Sequence, residues 1–310
     1  MNDLEQARRT FRDELIESGL LVGLGGNGLY AQSADFALIV AGITRLVETT
    51  GADGGSSGLS PRRLRFPPVF PRQAFEKTDY LASFPHLTGA VSTFTGDNEE
   101  HARMLAGREA GQSWDSWLTP AETMLVPAAC HPVYATLAGV LPPGGELIEV
   151  AGHCFRHEPA VDPARMQAFQ MHEFVRVGSP VQAQDHRTEW IDRAEALLTS
   201  LGLDAEAVGA NDPFFGRAGR LLASNQRRQN LKTELVVRLY GELDDGTAVA
   251  SCNYHQDHFG TAFGITLTDG DVAHSACVGF GLERIALALL RTHGLDASAW
   301  PTSVRALLSL

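Results

Sequence analysis

The chain has 310 residues, of which 44% are hydrophobic and 20% charged, values typical of a globular protein with a sizeable core. Its formal net charge of −12 disfavours tight binding of nucleic acid, because such binding neutralises several phosphates with Lys and Arg. The first thirty residues are charged throughout, and no apolar run approaches the roughly 18 residues that span a bilayer. These properties predict a cytoplasmic protein without a membrane span, folded as one large domain over residues 1–310.

A long helix followed by a strand is predicted in the first quarter of the chain. Apolar residues recur at helical spacing from Phe36 to Val47, and the Gly- and Ser-rich run at 51–58 ends the helix. The following run, RRLRFPPVF, is extended and stops at Pro67 and Pro68, which cannot donate in a central ladder. The earlier glycine cluster GLGGNG at 23–28 is not interpreted as a dinucleotide-binding turn, because no flanking strand and ribose-binding acid are evident.

The last third of the chain has the pattern of antiparallel hairpins. Extended runs occur at 233–240, 247–254, 260–267 and 272–280, with Asp-Gly turns among them. Turns this short cannot join parallel neighbours, which need a crossover. The segment at about 185–232 is predicted to be a helical insertion interrupted by a turn.

Two extended runs between Glu146 and Val177 flank the polar loop PAVDPA. Side chains two apart on a strand share a face, so Arg156 is expected to point with Glu158, and Phe169 with Glu173. A guanidinium group, carboxylates and an aromatic ring on one face suit a nucleotide, because they bind phosphate, amine and base respectively. An amphipathic surface hairpin with an ion pair is the alternative.

A second candidate is GFGLER at 279–284, which begins a helix with a buried apolar face and a C-cap at Gly294. Its glycines allow close approach of a ligand, and the helix N-terminus together with Arg284 favours an anion. By itself this pattern is common.

In combination, these segments resemble motifs 2 and 3 of class II aminoacyl-tRNA synthetases, and the long helix with its strand resembles motif 1. The resemblance implies an α+β fold, with an antiparallel sheet flanked by helices, and a homodimer formed through motif 1. TPAE at 119–122 and SCNYHQD at 251–257 are similar to segments of the seryl branch.

The same resemblance implies an ATP site that binds magnesium with the nucleotide. Arg156 would hold the α-phosphate and the amino-acid carboxylate, while Glu158 binds the adenine amine and Phe169 stacks on the adenine. Arg165 would hold the γ-phosphate, and Arg284 the other side of the adenine together with the phosphates. Arg156 and Arg284 are thus the expected catalytic residues.

Departures from the seryl branch concern the amino acid, the metal and the tRNA. Glu122 is the expected amino-acid contact beside Arg156, but Pro120 replaces the threonine of that loop, so serine recognition is not implied. Ala248 lies where an acid helps to hold magnesium. About 35 residues precede the motif 1 helix, which leaves no long tRNA-binding arm.

Zinc is implied by a variant of the seryl family that uses Cys, Glu and Cys as ligands. The four cysteines lie far apart and form no CxxC pair, so spacing alone makes them core residues. Cys130, Glu173 and Cys277 nevertheless occupy the matching places. Three protein ligands leave a fourth position for the substrate amine. The nearby candidates for substitute ligands are His131, His172 and His274.

The seryl-like core, the zinc set and the acidic charge together resemble the bacterial amino acid:carrier protein ligases. The implied activity is formation of a glycyl or alanyl adenylate and its transfer to the phosphopantetheine thiol of an acidic carrier protein. A basic run at 217–232 supplies a candidate docking face, consisting of Arg217, Arg220, Arg227 and Arg228. The alternatives are an atypical seryl-tRNA synthetase and a non-catalytic regulatory paralogue.

Overall fold

The structure is a computed structural model that describes residues 2–211 and 231–310. Its helices are α1 Asp3–Glu17, α2 Ala34–Gly51, α3 Arg72–Lys77, α4 Tyr80–Ser83, α5 Asn98–Glu109, α6 His131–Tyr134, α7 Pro180–Ser200, α8 His258–Phe263, α9 Leu282–His293 and α10 Thr302–Leu308. Its strands are β1 Leu21–Gly23, β2 Tyr30–Gln32, β3 Arg62–Leu64, β4 Val69–Pro71, β5 Ala90–Phe94, β6 Leu118–Leu125, β7 Gly139–Val140, β8 Glu146–Phe155, β9 Ala168–Gly178, β10 Ala205–Gly209, β11 Lys232–Val237, β12 Thr247–Gln256, β13 Ile265–Thr266 and β14 His274–Gly281.

Seven of the described strands form a central sheet in the order β10-β11-β12-β14-β9-β8-β3. Neighbours are antiparallel except at the edge, where β3 runs parallel to β8. Alternate side chains on β9 separate the two sides of this sheet. Phe174 packs in a hydrophobic cluster with α2, α7 and α9, which defines the helix side. Glu173 points to the opposite side, called here the cavity side.

The helices on the helix side begin and end where their sequences specify. The Ser33 side chain caps α2 by accepting from the Phe36 N–H, and α7 begins with a capping box in which Ser179 pairs with Gln182. Helix α9 ends at Gly294, which has a φ of 95°. Gly51 ends α2 directly over the ring of Phe174, where a Cβ would overlap the ring carbons. Helix α2 therefore packs closely on the sheet.

The cavity side is closed by a smaller layer. A three-stranded sheet, β4-β6-β5, lies with short helices that include α6 and α8 over the β8, β9 and β14 surface. Tyr134 of α6 and Phe259 of α8 stack with ring centroids 3.9 Å apart. This second core supports the walls of the cavity, while the first core fixes the sheet beneath it.

Most of the sequence-based elements are confirmed, with three differences. The run 260–267 was expected to be one strand, but its first half lies in α8, because Phe259 and Phe263 pack at helical spacing into the second core, and only Ile265–Thr266 is extended, as β13. Within the expected helical insertion, residues 205–209 form the edge strand β10. The cluster GLGGNG is the turn of a small antiparallel hairpin between β1 and β2.

The four arginines of the expected docking face lie outside the described residues. Within the described ranges, none of the helices has the length and apolar character that crossing a membrane requires.

Candidate functional site

A cavity of about 550 Å³ opens on the cavity side of the central sheet. Strands β9, β12 and β14 form its floor, and the N-terminus of α9 lies at one end. Six of the residues predicted from the sequence line it together: Cys130, Arg156, Phe169, Glu173, Cys277 and Arg284. These residues come from well-separated parts of the chain, so the fold brings the two halves of the expected site into one space.

The zinc candidates Cys130, Glu173 and Cys277 converge. One ligand atom from each lies within 4.8 Å of the other two, and the three residues are 4%, 1% and 3% exposed. Glu173 also accepts a hydrogen bond from the Cys130 backbone N–H at 3.1 Å. Two thiols and one carboxylate are a donor set that zinc accepts in tetrahedral sites, with one position left open.

The electrostatics of the triad favour a bound cation. Burial and the charge of Cys277 raise the pKa of Glu173 to about 8. Hydrogen bonds from the Cys130 thiol and from His255 hold the pKa of Cys277 well below its usual range, while the pKa of Cys130 is raised. Without a cation the three groups cannot all ionise at neutral pH, because each charge opposes the next. A divalent ion offsets this repulsion, so the residues fit zinc.

The histidines next to the triad in sequence do not join it. His131 is buried against the rings of Tyr80 and Phe259, and burial lowers its pKa to about 3. His172 lies on the helix side of β9, and His274 bonds to the hydroxyl of Tyr254. Two neighbours missed from the sequence are His255, whose Nε2 lies 3.6 Å from Cys277 Sγ, and Asn253, whose side-chain amide donates to the same sulfur at 3.6 Å. Their place in SCNYHQD on β12 was the available signal.

The other half of the cavity, lined by Arg156, Phe169 and Arg284, has groups suited to binding a nucleotide. The guanidinium carbon of Arg156 lies 5.4 Å from the centroid of the Phe169 ring. Arg284 donates to the backbone oxygens of Ala164 and Ala248 at 2.9 and 3.0 Å. Burial and the positive charges of Arg165 and Arg156 lower the pKa of Arg284 to about 10. Positive groups held close enough to oppose one another form a site for a polyanion.

Two other ATP-site candidates lie beside this cavity rather than in its lining. Strand β8 ends at Phe155, so Arg156 and Glu158 do not share a strand face as the sequence predicted. Glu158 instead pairs with Arg165 at 2.8 Å in a smaller adjoining cavity of about 290 Å³. Glu122 is exposed on β6 and lies outside both linings.

A second convergence of possible metal ligands lies on the helix side, formed by Glu48, Glu149 and His172. Here the carboxylates already have cationic partners. Arg63 lies 2.8 Å from Glu149, and Arg65 lies 3.7 Å from Glu48. We interpret this cluster as an ion-pair network at the β3 edge.

The architecture defines the class of protein. A seryl-tRNA synthetase of M. kandleri, solved with A. aeolicus tRNASec, matches with a TM-score of 0.79 at 21% identity, over 96% of this chain and 60% of that one. A seryl-tRNA synthetase from Pyrococcus horikoshii, complexed with ATP, matches with a TM-score of 0.70 at 14% identity, over 97% of this chain and 62% of that one. The fold is that of the class II aminoacyl-tRNA synthetase catalytic core.

Sequence similarity gives the family, although no family model matches the chain. Amino acid–acyl-carrier-protein ligase 1 of Bradyrhizobium diazoefficiens is 43% identical over 293 residues, covering 94% of this chain and 88% of the relative. A type-2 serine–tRNA ligase of Methanopyrus kandleri is 28% identical over 194 residues, which are 58% of this chain and 37% of the relative. The chain belongs to the family of amino acid–acyl-carrier-protein ligases, and it is a ligase.

Proposed function

We propose that this ligase activates glycine or alanine with ATP and transfers the aminoacyl group to the phosphopantetheine thiol of an acidic carrier protein. The observation that carries the proposal is the joint lining of one cavity by a Cys-Glu-Cys triad and by Arg156, Phe169 and Arg284. The relatives' names supply the acceptor class, since two of them are called amino acid–acyl-carrier-protein ligases.

The ATP half of the cavity supports a defined arrangement of the nucleotide. Phe169 offers a ring face for adenine, and Arg284 approaches from the N-terminus of α9. Arg156, which lies against the Phe169 ring and lines the same cavity as the triad, is the candidate for the α-phosphate and the amino-acid carboxylate. Glu158 would receive the adenine amine and Arg165 the γ-phosphate once their ion pair opens. Magnesium would accompany ATP, as it does in phosphoryl-transfer enzymes generally.

The triad would hold zinc and present its fourth position to the α-amine of the amino acid. A zinc ion held there would supply a Lewis-acid site for the amine, and Arg156 would orient the carboxylate toward ATP. The rings of His131, Tyr80 and Phe259 occupy the wall beside Cys130, which favours a small side chain. Glu122, the other expected amino-acid contact, would need to approach from β6.

The proposed chemistry is acyl transfer in two steps. A carboxylate oxygen of the amino acid attacks the α-phosphorus of ATP, and pyrophosphate leaves. The carrier thiol sulfur, deprotonated to solvent, then attacks the carbonyl carbon, and AMP leaves. In the first step the arginines position the reactants and stabilise charge that moves onto pyrophosphate.

The proposal is tested by pyrophosphate exchange with each of the twenty amino acids, followed by charging assays. Exchange is expected with glycine or alanine, and the label should then appear on a phosphopantetheine carrier rather than on tRNA. Serine-dependent exchange with charging of tRNA would establish the atypical seryl-tRNA synthetase instead. The absence of exchange with all twenty would favour the regulatory paralogue.

We further propose that the carrier docks on the basic run at 217–232. Carrier proteins are acidic beside their phosphopantetheine serine, so this run offers complementary charge on an otherwise acidic chain. The double variant Arg220→Glu, Arg227→Glu should weaken carrier charging, with the greatest loss at low salt, and leave pyrophosphate exchange nearly intact. Charging rates measured across a salt series provide the test.

The matched control reverses Arg103 and Arg108, which lie on helix α5, where none of the residues is buried. It changes the net charge equally but should preserve carrier charging. Equal charging by the two double variants would place the docking surface elsewhere.

A homodimer is proposed from the motif 1 elements. The described part of the central sheet ends at the short strand β3, and Leu38 of α2 is 55% exposed although α2 packs on the sheet. A partner chain covering these two elements would bury both. Sedimentation at several protein concentrations tests this, and a monomer at all of them would contradict it.

A further inference from the structure

The loop between β8 and β9, residues 156–167, is held in place by the N-terminal segment, which consists of α1 and the β1–β2 hairpin. Asp162 is the loop residue that α1 contacts. This aspartate is 5% exposed although it lies in a polar loop. Arg8 of α1 lies 3.0 Å from its Oδ2, and the Tyr240 hydroxyl donates to its Oδ1 at 2.6 Å. Asp162 also accepts from the Ala164 N–H at 3.0 Å. The second half of the loop is therefore connected to α1 and to Tyr240, which follows β11.

The β1–β2 hairpin contacts the same loop through its glycine-rich turn. The Gln167 backbone N–H donates to the Gly28 oxygen at 2.9 Å, and the Gln167 side chain donates to the Asn27 oxygen at 2.8 Å. Gly28 has a φ of +74°, and a Cβ there would lie 2.7 Å from the Arg165 backbone oxygen. The turn therefore needs glycine at position 28 in order to lie against the loop.

The contacts made by the loop reach all three arginines of the ATP half. Arg165 belongs to the loop, and the Arg156 N–H donates to the Gln167 oxygen at 2.9 Å. Arg284 donates to the oxygen of Ala164, at 2.9 Å. Displacement of the loop would therefore move the guanidinium groups relative to one another, and polyanion binding is sensitive to such shifts.

We propose that the N-terminal segment, α1 with the β1–β2 hairpin, positions the loop 156–167 for ATP. Gly28, Arg8, Tyr240 and Asp162 are positioning residues, since they act through the loop. This inference rests on the proposed ATP site, and it also gives a function to the glycine cluster at 23–28, which contributes a turn that contacts the loop.

The test compares two glycines of the same turn. Gly28→Ala and Gly25→Ala impose similar backbone strain, because both positions have positive φ, but a Cβ at Gly25 meets nothing within 4 Å. We expect Gly28→Ala to raise the KM for ATP in pyrophosphate exchange by about tenfold to a hundredfold, with a smaller change in the KM for the amino acid. Gly25→Ala should match the wild type in both.

A second variant covers the case in which Gly28→Ala does not fold. Arg8→Gln removes the charge by which α1 pairs with Asp162 and should also raise the KM for ATP. Hydrogen exchange of the peptide 156–167 should accelerate in both variants, with Gly25→Ala unchanged. Wild-type KM values and protection in Arg8→Gln would overturn the positioning role. Absence of exchange activity in the wild type would instead contradict the proposed function, and loop protection would then decide the positioning question.

Discussion

Replacing Cys130 with alanine is expected to remove the zinc that the triad is proposed to hold and to abolish amino-acid activation while leaving the fold intact. The thiol lies in a buried triad, and the remaining Glu173 and Cys277 offer too few ligands for a stable tetrahedral site. Metal analysis of the purified variant, together with pyrophosphate exchange and circular dichroism, measures the three properties. The wild type should hold about one zinc per chain.

Cys252→Ala is the matched control. Cys252 is as buried as Cys130, but it belongs to the hydrophobic cluster on the helix side of the sheet. The control should keep its zinc and most of its exchange activity. Full zinc occupancy in Cys130→Ala, or equal metal loss in both variants, would refute the proposed ligand set.

The single variants Arg156→Ala and Arg284→Ala should each lower the rate of pyrophosphate exchange by a factor on the order of 100 or more. This factor is equivalent to about 2.7 kcal/mol of transition-state stabilisation. Both guanidinium groups line the cavity, and burial together with the positive charges of Arg165 and Arg156 lowers the pKa of Arg284; a bound polyanion would relieve the repulsion among these charges. Zinc content should stay normal, which separates nucleotide binding from the metal site.

Arg291→Ala is the control for Arg284→Ala because it lies on the same helix. Arg291 also donates from Nε to a backbone oxygen, that of Leu239, at 3.0 Å, but it lies outside the cavity lining. Near-normal exchange in Arg284→Ala, or an equal loss in Arg291→Ala, would show that the assignment of the ATP half is wrong.

The sequence predicted the elements that depend on local spacing. Helix α2 and its end at the glycine run followed from apolar periodicity, and the Gly294 cap followed from the end of that periodicity in α9. The alternation on β9 correctly placed Phe169 and Glu173 on one side. The convergence of Cys130 with Cys277 was available only through the family resemblance, since these residues are distant in sequence.

Other features depended on tertiary contacts that periodicity does not encode. The segment 260–263 was expected to begin a strand. It forms the end of α8 instead, because Phe259 stacks on Tyr134. The expected alignment of Arg156 with Glu158 failed because β8 ends one residue earlier. The close approach of Gly28 to the Arg165 backbone joins two segments that are distant in sequence, and no sequence pattern indicates this contact.

The two-sided use of β9 and β14 makes the triad a reporter of strand alignment. Glu173 is paired with Gly279, and Val175 with Cys277, while Phe174 and Val278 face the helices. A slip of one residue in either strand would turn a ligand into the helix-side core and a core side chain into the cavity. If the triad holds zinc as proposed, metal retention reports on the arrangement of the central sheet, and substitutions that loosen the core beneath it would be detected in the metal content before the chain unfolds.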